Sequence, residues 1–361
     1  MGTISQLHDR LRPPADRIES EEAAVAAARR LAAGFRRQSS ERDINRILPF
    51  PELDALSLSG LTGITVPPEY EGLDVSNALL AEIVAIIAEG DASIGECLAI
   101  HFAALEGLRL HGGEDLQRLL FSRALSGDRF ATASFPADSI TSLPLGHRID
   151  GRSAQAPGVL FADWLVISGA ADHQLLYVNR RSEGLQSVDS WDGFGQRTNG
   201  TALLVAENVQ ARADAAVRQG APAAAMTALL NAGVDLGIAR AVLSELQETS
   251  AVPAAAGTLI VGIEAAAALL ERAGHRLDIA QINSGPAIAD AEFSATAAQA
   301  HASELALRTA TAIFEIAKGD TGGIGLNLDR HWRNARIRAL GGKLERLHAK
   351  AAAHYSHSWE I

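Results

Sequence analysis

RFATASF (Arg129–Phe135), WLVISGA (Trp164–Ala170), QLLYVN (Gln174–Asn179) and TALLVAENV (Thr201–Val209) are short apolar runs separated by Gly, Pro, Asp and Asn. Runs of this length, bounded by turn-forming residues, predict strands. The segment from about Phe130 to Val209 therefore predicts a small β domain, and the sequence on either side of it has a different period.

Upstream, Val25, Ala28, Leu31, Ala32 and Phe35 recur at helical spacing between Glu19 and Arg37, with acids at the start and bases at the end as the helix dipole favours. The stretch from Leu48 to Ser76 is punctuated by Pro67, Pro68 and Gly72 and predicts an ordered loop. Ser76 is placed to cap a helix carrying Leu79, Leu80, Ile83, Val84 and Ile87, and Gly90 is placed to end it. A following helix from about Ala92 has the stripe Ile94, Leu98, His101, Leu105 and Leu108, which puts an imidazole on a face that should be buried. Downstream, Met226–Gln247, Thr258–Asn283 and Ala295–Lys318 read as long helices broken at Pro253, Gly285 and Pro286, and Gly319, lengths that suit a bundle. The expected division is 1–127 helical, 128–212 β and 213–361 helical bundle.

The chain has 361 residues, 47% hydrophobic and 21% charged, a globular composition. Its 32 basic and 43 acidic residues give a net charge of −11, which disfavours a phosphate-backbone interface, so no nucleic-acid partner is expected. The N-terminal stretch is charged and holds prolines, so neither a secretory signal nor a membrane anchor is expected. Uninterrupted apolar runs fall short of the roughly 20 residues of a membrane helix, and a cytoplasmic protein with no membrane partner is the expectation. One cysteine, Cys97, excludes an internal disulfide. His348, His354 and His357 near Glu345 are read as a solvated tail, with no metal site, and GGIG from Gly322 lacks the strand and spacing of a phosphate loop.

Five segments resemble acyl-CoA dehydrogenases: GITVPPEYEGLDVS (Gly63–Ser76), DGRSAQAPGVLFADWLVISG (Asp150–Gly169), DSWDGFGQRTNGTALLVAENVQ (Asp189–Gln210), GVDLGIARAVLSE (Gly233–Glu245) and LDRHWRNARI (Leu328–Ile337). The last is similar to the sulfur-acquisition and dibenzothiophene-monooxygenase-like branch. The resemblance implies a mainly α fold with a central β domain: an N-terminal helical domain, a β-barrel-like middle domain and a C-terminal four-helix bundle. It also implies FMN or FAD, a homotetramer or homodimer, and a separate reductase supplying reduced flavin for oxygen transfer to a small, largely apolar substrate.

Carried residue by residue, the resemblance puts His101 near the flavin as a proton-handling group. Thr132, Ser134, Pro157 and Gly158 are expected to contact the cofactor, and Arg333 and Arg336 a phosphate. Phe102, Phe130, Phe135, Phe161, Trp164 and Arg197 are expected around the pocket. There are departures. The two positions for a dehydrogenase base map to Gly342 and about Thr227, neither acidic, with Glu345 the nearest carboxylate to the first. Pro157 stands where a flavin-facing hydroxyl is expected, RNARIRALGG lacks a histidine found after this segment in the branch, and SELQETSAVPAAAG lacks a pyrophosphate arginine. Proton abstraction without a positioned base loses about 10²- to 10⁴-fold. Three readings stay open: a monooxygenase, a desaturase using a displaced base such as Glu345, and a flavin-free binding or non-redox protein.

Overall fold

The computed structural model describes residues 13–169, 174–218, 220–249, 254–317 and 321–358. Pro253 and Gly319 lie outside these residues, as does the side chain of His357. Five helices come first: α1 (Glu21–Asn45), α2 (Phe50–Leu58), α3 (Asn77–Gly90), α4 (Ala92–His111) and α5 (Glu114–Leu125). The Ser76 hydroxyl accepts from Leu79 N–H to cap α3, and the Asp91 carboxylate accepts from Ser93 and Ile94 N–H to cap α4. The second carboxylate oxygen of Asp91 pairs with Arg42 of α1 at 2.7 Å, so one residue starts a helix and anchors another. α2 corrects the expectation of a loop from Leu48 to Ser76. Pro51 falls in its first turn, where the missing N–H has no intrahelical partner to lose.

Among the described residues the middle region holds eight strands: β1 (Phe130–Phe135), β2 (Ile140–Leu143), β3 (Gly146–Arg152), β4 (Trp164–Gly169), β5 (Gln174–Asn179), β6 (Leu185–Val188), β7 (Leu203–Arg212) and β8 (Ala216–Arg218). They form two four-stranded sheets, ordered β1-β4-β5-β8 and β2-β3-β7-β6. β1 and β4 run parallel, with Phe130 opposite Trp164, and the other pairs are antiparallel.

Helices α6 (Ala223–Thr249), α7 (Gly257–Gln281), α8 (Pro286–Ile316), α9 (Asp329–Ala339) and α10 (Lys343–Ser358) complete the chain. The main core runs from Leu80, Ile83 and Ile87 of α3 and Ile94 and Leu98 of α4 to Leu229, Leu236 and Ile238 of α6. Small residues let these helices approach closely: a Cβ on Gly237 would stand 2.5 Å from Ala85 O. α10 replaces the expected solvated tail. His348 Nε2 lies 3.1 Å from Glu304, and the His354 ring stacks on Phe293 at 4.4 Å. Among the described residues no three His, Cys, Asp or Glu side chains gather as a metal site.

Two helical stretches, Ala223–Gln247 and Ala254–Gln281, are long and apolar enough to cross a membrane by length and composition. Counting uninterrupted runs missed them because alanine, leucine, isoleucine and valine raise mean hydropathy across scattered polar residues. The first is mostly buried in the bundle, whereas α7 leaves Ile260, Val261 and Ile279 exposed.

Candidate functional site

The 153–160 segment lies between β1 and the 196–204 stretch. Ala154 N–H donates to Ser134 O, while Ser153, Ala156 and Gly158 N–H donate to the carbonyls of Leu204, Ala202 and Asn199. The structure thus joins Thr132, Ser134, Pro157 and Gly158 on neighbouring backbone, with Arg197 two residues from Asn199. Thr132 and Ser134 point outward from β1 and are exposed. Gly158 packs against the opposite face, where a Cβ on it would stand 3.6 Å from Ala131 Cβ, and its φ of +79° suits glycine. Arg197 Nε is buried with no hydrogen-bond partner.

The 196–200 loop is fixed to the helices by a polar hub. Glu96 on α4 divides its carboxylate: Oε2 accepts from Asn199 Nδ2 at 2.7 Å, and Oε1 takes Arg338 of α9. Arg338 spends its other donors on Asp235 of α6 at 2.6 Å and on Asn231, whose side-chain oxygen lies at 3.0 Å. Asp235 also accepts from Ser303 of α8 at 2.5 Å. Burial opposes the guanidinium charge, but Asp235 and Glu96 hold its pKa above the ordinary value. Beside it, burial and the Arg338 charge lower the pKa of Lys343. Past the end of α9, Gly341 and Gly342 both take left-handed φ and are exposed.

None of Glu96, Asn199, Asp235 and Arg338 was singled out in the sequence. A signal was present: Asp235 interrupts the apolar run of GVDLGIA, Glu96 sits on a stretch otherwise apolar from Ile94 to Ile100, and Arg338 falls inside RNARIRALGG. A charge on a buried helix face requires a partner.

His101 is 2% exposed. Phe130 N–H donates to Nδ1 at 3.2 Å, and Nε2 lies 2.8 Å from Thr62 O. An Nδ1 that accepts carries no proton, so Nε2 is the donor and the ring is neutral. Burial lowers its pKa to about 4, against the opposing effect of the Thr62 hydrogen bond. The expected proton-handling imidazole is instead a clamp joining α4 to the turn at Thr62 and to the first residue of β1, with no ring nitrogen left over.

The predicted pocket aromatics are also seam residues. Phe102, Phe130, Phe135 and Phe161 are at most 3% exposed. Phe130 packs near His101 and Trp164, while Phe161 meets Phe50 edge-on. Arg333, expected on a phosphate, is tied to Asp43 and Asp329 at 2.6 and 2.7 Å and to the carbonyl of Phe194. Its donors serve the contact of α9 with α1 and the 189–202 loop. Arg336, on another face of α9, is exposed.

A groove of about 660 Å³ is lined by Arg17, Tyr70, Glu71 and Arg118, and a void of about 30 Å³ by Asp91, Ser93, Thr198, Glu245 and His331. Neither includes the predicted cofactor residues. The smaller has room for about one water.

Residues 18–128 match the family described as Acyl-CoA dehydrogenase, N-terminal domain. Along the whole chain, 26% identity over 88% of it and 90% of the relative links it to a probable FMNH2-dependent monooxygenase, SfnC, of Pseudomonas putida. The N-terminal third is therefore of the acyl-CoA dehydrogenase type. The fold of the chain is shared with methanesulfinate monooxygenase MsuC of Pseudomonas fluorescens, at TM-score 0.86 and 22% identity over 94% of this chain and 97% of that one. FMN-bound TdsC of Paenibacillus sp. A11-2 gives TM-score 0.84 and 21% identity over 93% and 97%. The exposed Thr132 and Ser134 hydroxyls can donate to an acceptor-rich group such as a flavin's pyrimidine edge.

Proposed function

We propose that this protein is a flavin-dependent monooxygenase that takes reduced FMN from a separate flavin reductase and oxygenates a small apolar substrate. The carrying observation is what stands at the dehydrogenase base positions. Gly342 has no side chain, and Thr227 turns its hydroxyl back onto Ala223 O. Donors that suit a flavin remain at the exposed Thr132 and Ser134 hydroxyls. The SfnC relative supports the same reading. When bound, the flavin supplies electron transfer to dioxygen. The chain's own contribution is to offer Thr132 and Ser134 to the ring edge, Arg197 and Arg336 to a phosphate, and a packed aromatic seam that excludes water. The exposed apolar face of α7 supports self-association as a tetramer or dimer.

One observation favours the desaturase: Glu345 Oε2 lies 3.7 Å from where a Cβ on Gly342 would be. Oxygen transfer to an acceptor separates the two readings. With photochemically reduced FMN, isotopically labelled dioxygen and a small thioether supplied, the monooxygenase yields labelled oxidised thioether beyond the protein-free control, and Glu345→Gln leaves this intact. Bleaching of bound oxidised flavin by an acyl-CoA, lost in Glu345→Gln, would establish the desaturase. No change in FMN fluorescence on adding protein would refute both.

A further inference from the structure

We infer that Glu96 and Arg338 are positioning residues for the cofactor, acting through Asn199 to set the Pro157–Gly158 bend. This rests on the flavin reading above. Pro157 has no N–H, so the N–H of Gly158 is the first backbone donor of the bend. It donates to Asn199 O at 2.9 Å, and the orientation of that peptide decides where the bend lies.

Asn199 has little freedom to turn. Its Nδ2 is held by Glu96, its Oδ1 accepts both the N–H and the hydroxyl of Thr201 at 3.0 and 2.7 Å, and its carbonyl also meets Cys97 Sγ at 3.3 Å. Glu96 is in turn fixed by Arg338, which is locked to α6 through Asp235 and Asn231. A rigid path of charge-assisted hydrogen bonds therefore runs from α6 and α9, across α4, to the segment predicted to touch the flavin. Arg338 also precedes the left-handed Gly341–Gly342 pair by three residues, so the same anchor sets where the chain leaves α9. Charge-assisted, forked contacts of this kind specify geometry as well as holding elements together.

The test uses the full chain and two readouts. Titration with FMN and with reduced FMN, followed by flavin fluorescence or absorbance, should show Glu96→Gln and Asn199→Ala weakening binding by roughly 10- to 100-fold, the scale on which small misplacements act. Amide exchange of Gly158 should accelerate in the same variants without any cofactor present. Asn199→Ser provides a milder variant if Asn199→Ala fails to fold. Asp74→Asn breaks the Arg109–Asp74 pair, about 20 Å further along α4 at 1.5 Å per residue, and should leave both readouts unchanged at a comparable loss of thermal stability. Unchanged FMN affinity in folded Asn199→Ala, or an equal loss in Asp74→Asn, would overturn the inference. Wild-type protein that binds no FMN would refute the flavin reading itself, while the exchange rate of Gly158 still reports whether Glu96 governs the bend.

Discussion

Two polar side chains of helix α4, five residues apart, meet the problem of burial in different ways: His101 is buried and Glu96 nearly so. His101 closes on backbone, with one donor and one acceptor and no net charge. Glu96 takes a cationic partner and reaches a loop and, through Arg338, two further helices. The first arrangement is local and self-sufficient; the second makes several elements depend on one another. A buried imidazole in the right part of a known fold therefore need not be chemistry, whereas a buried charge network marks where the fold demands exact placement.

The largest effect should come from breaking the network at its centre. Arg338→Met leaves Glu96 and Asp235 buried without their cation, and losing one partner of a buried pair costs about 3–5 kcal/mol. Denaturant unfolding should show a drop in midpoint of that order, and a loss under about 1 kcal/mol would mean that the hub carries no strain of unpaired charge. His101→Ala should cost less, about 2–4 kcal/mol from the vacated space and two lost hydrogen bonds. Measured per folded molecule, its oxygen-transfer activity should stay within about threefold of wild type, since a proton-transfer role would cost about 10²- to 10⁴-fold.

How much of this was legible in the sequence follows from the same contrast. The strand runs around Phe130–Val209, the Ser76 cap and the long C-terminal helices were readable because each depends on local pattern. α2 was hidden because Pro67, Pro68 and Gly72, all beyond its end at Leu58, set the reading of the whole Leu48–Ser76 stretch. His101 was correctly placed on a buried face, but its partners Thr62 and Phe130 lie 39 and 29 residues away, and nothing in the α4 sequence announces them. Arg333 looked available for a phosphate for the same reason, because Asp43 is 290 residues distant. The resemblance pointed to Thr132, Ser134, Pro157 and Gly158, which the structure sets on neighbouring backbone, while the hub beside them joins residues far apart in sequence, Glu96, Asn199, Asp235 and Arg338.

Acid should separate the two arrangements further. His101 and His331 both have pKa values lowered by burial to about 4, with the Arg330 charge adding to the effect on His331. In the unfolded chain a histidine titrates near 6.5, so between pH 6.5 and 4 the unfolded state binds more protons and stability falls as pH falls. Above pH 6.5 the contribution is fully present. The loss should be about 2–3 kcal/mol for each imidazole across this window, and His101→Gln should remove about half of the slope. Glu245, which His331 and Arg330 bring down to about 2 against the opposing effect of burial, adds a second loss only as pH falls from about 4.5 to 2. A stability profile flat from pH 6.5 to 4.5 would show that neither imidazole is held neutral.

The smallest effect tests the edge of the hub. Cys97 neighbours Glu96 in sequence, and its Sγ lies 3.3 Å from the Asn199 carbonyl that also receives Gly158. Burial, followed by the nearby Glu96 and Asp91 charges, pushes the thiol pKa well up, so at neutral pH it is a weak neutral donor and a poor nucleophile. Cys97→Ala removes that donor and one small buried atom, which should cost about 0.5–1.5 kcal/mol, and Cys97→Ser should recover much of it through the hydroxyl. Thiol-specific alkylation of the native protein should be slow and should accelerate on unfolding. Because the Asn199 carbonyl keeps its bond from Gly158 and its side chain stays on Glu96, FMN affinity should move less than about twofold, within a few tenths of a kcal/mol. A loss as large as that of Asn199→Ala would instead place Cys97 inside the positioning path, and the division of α4 into one closed site and one connecting site would have to be redrawn around the thiol.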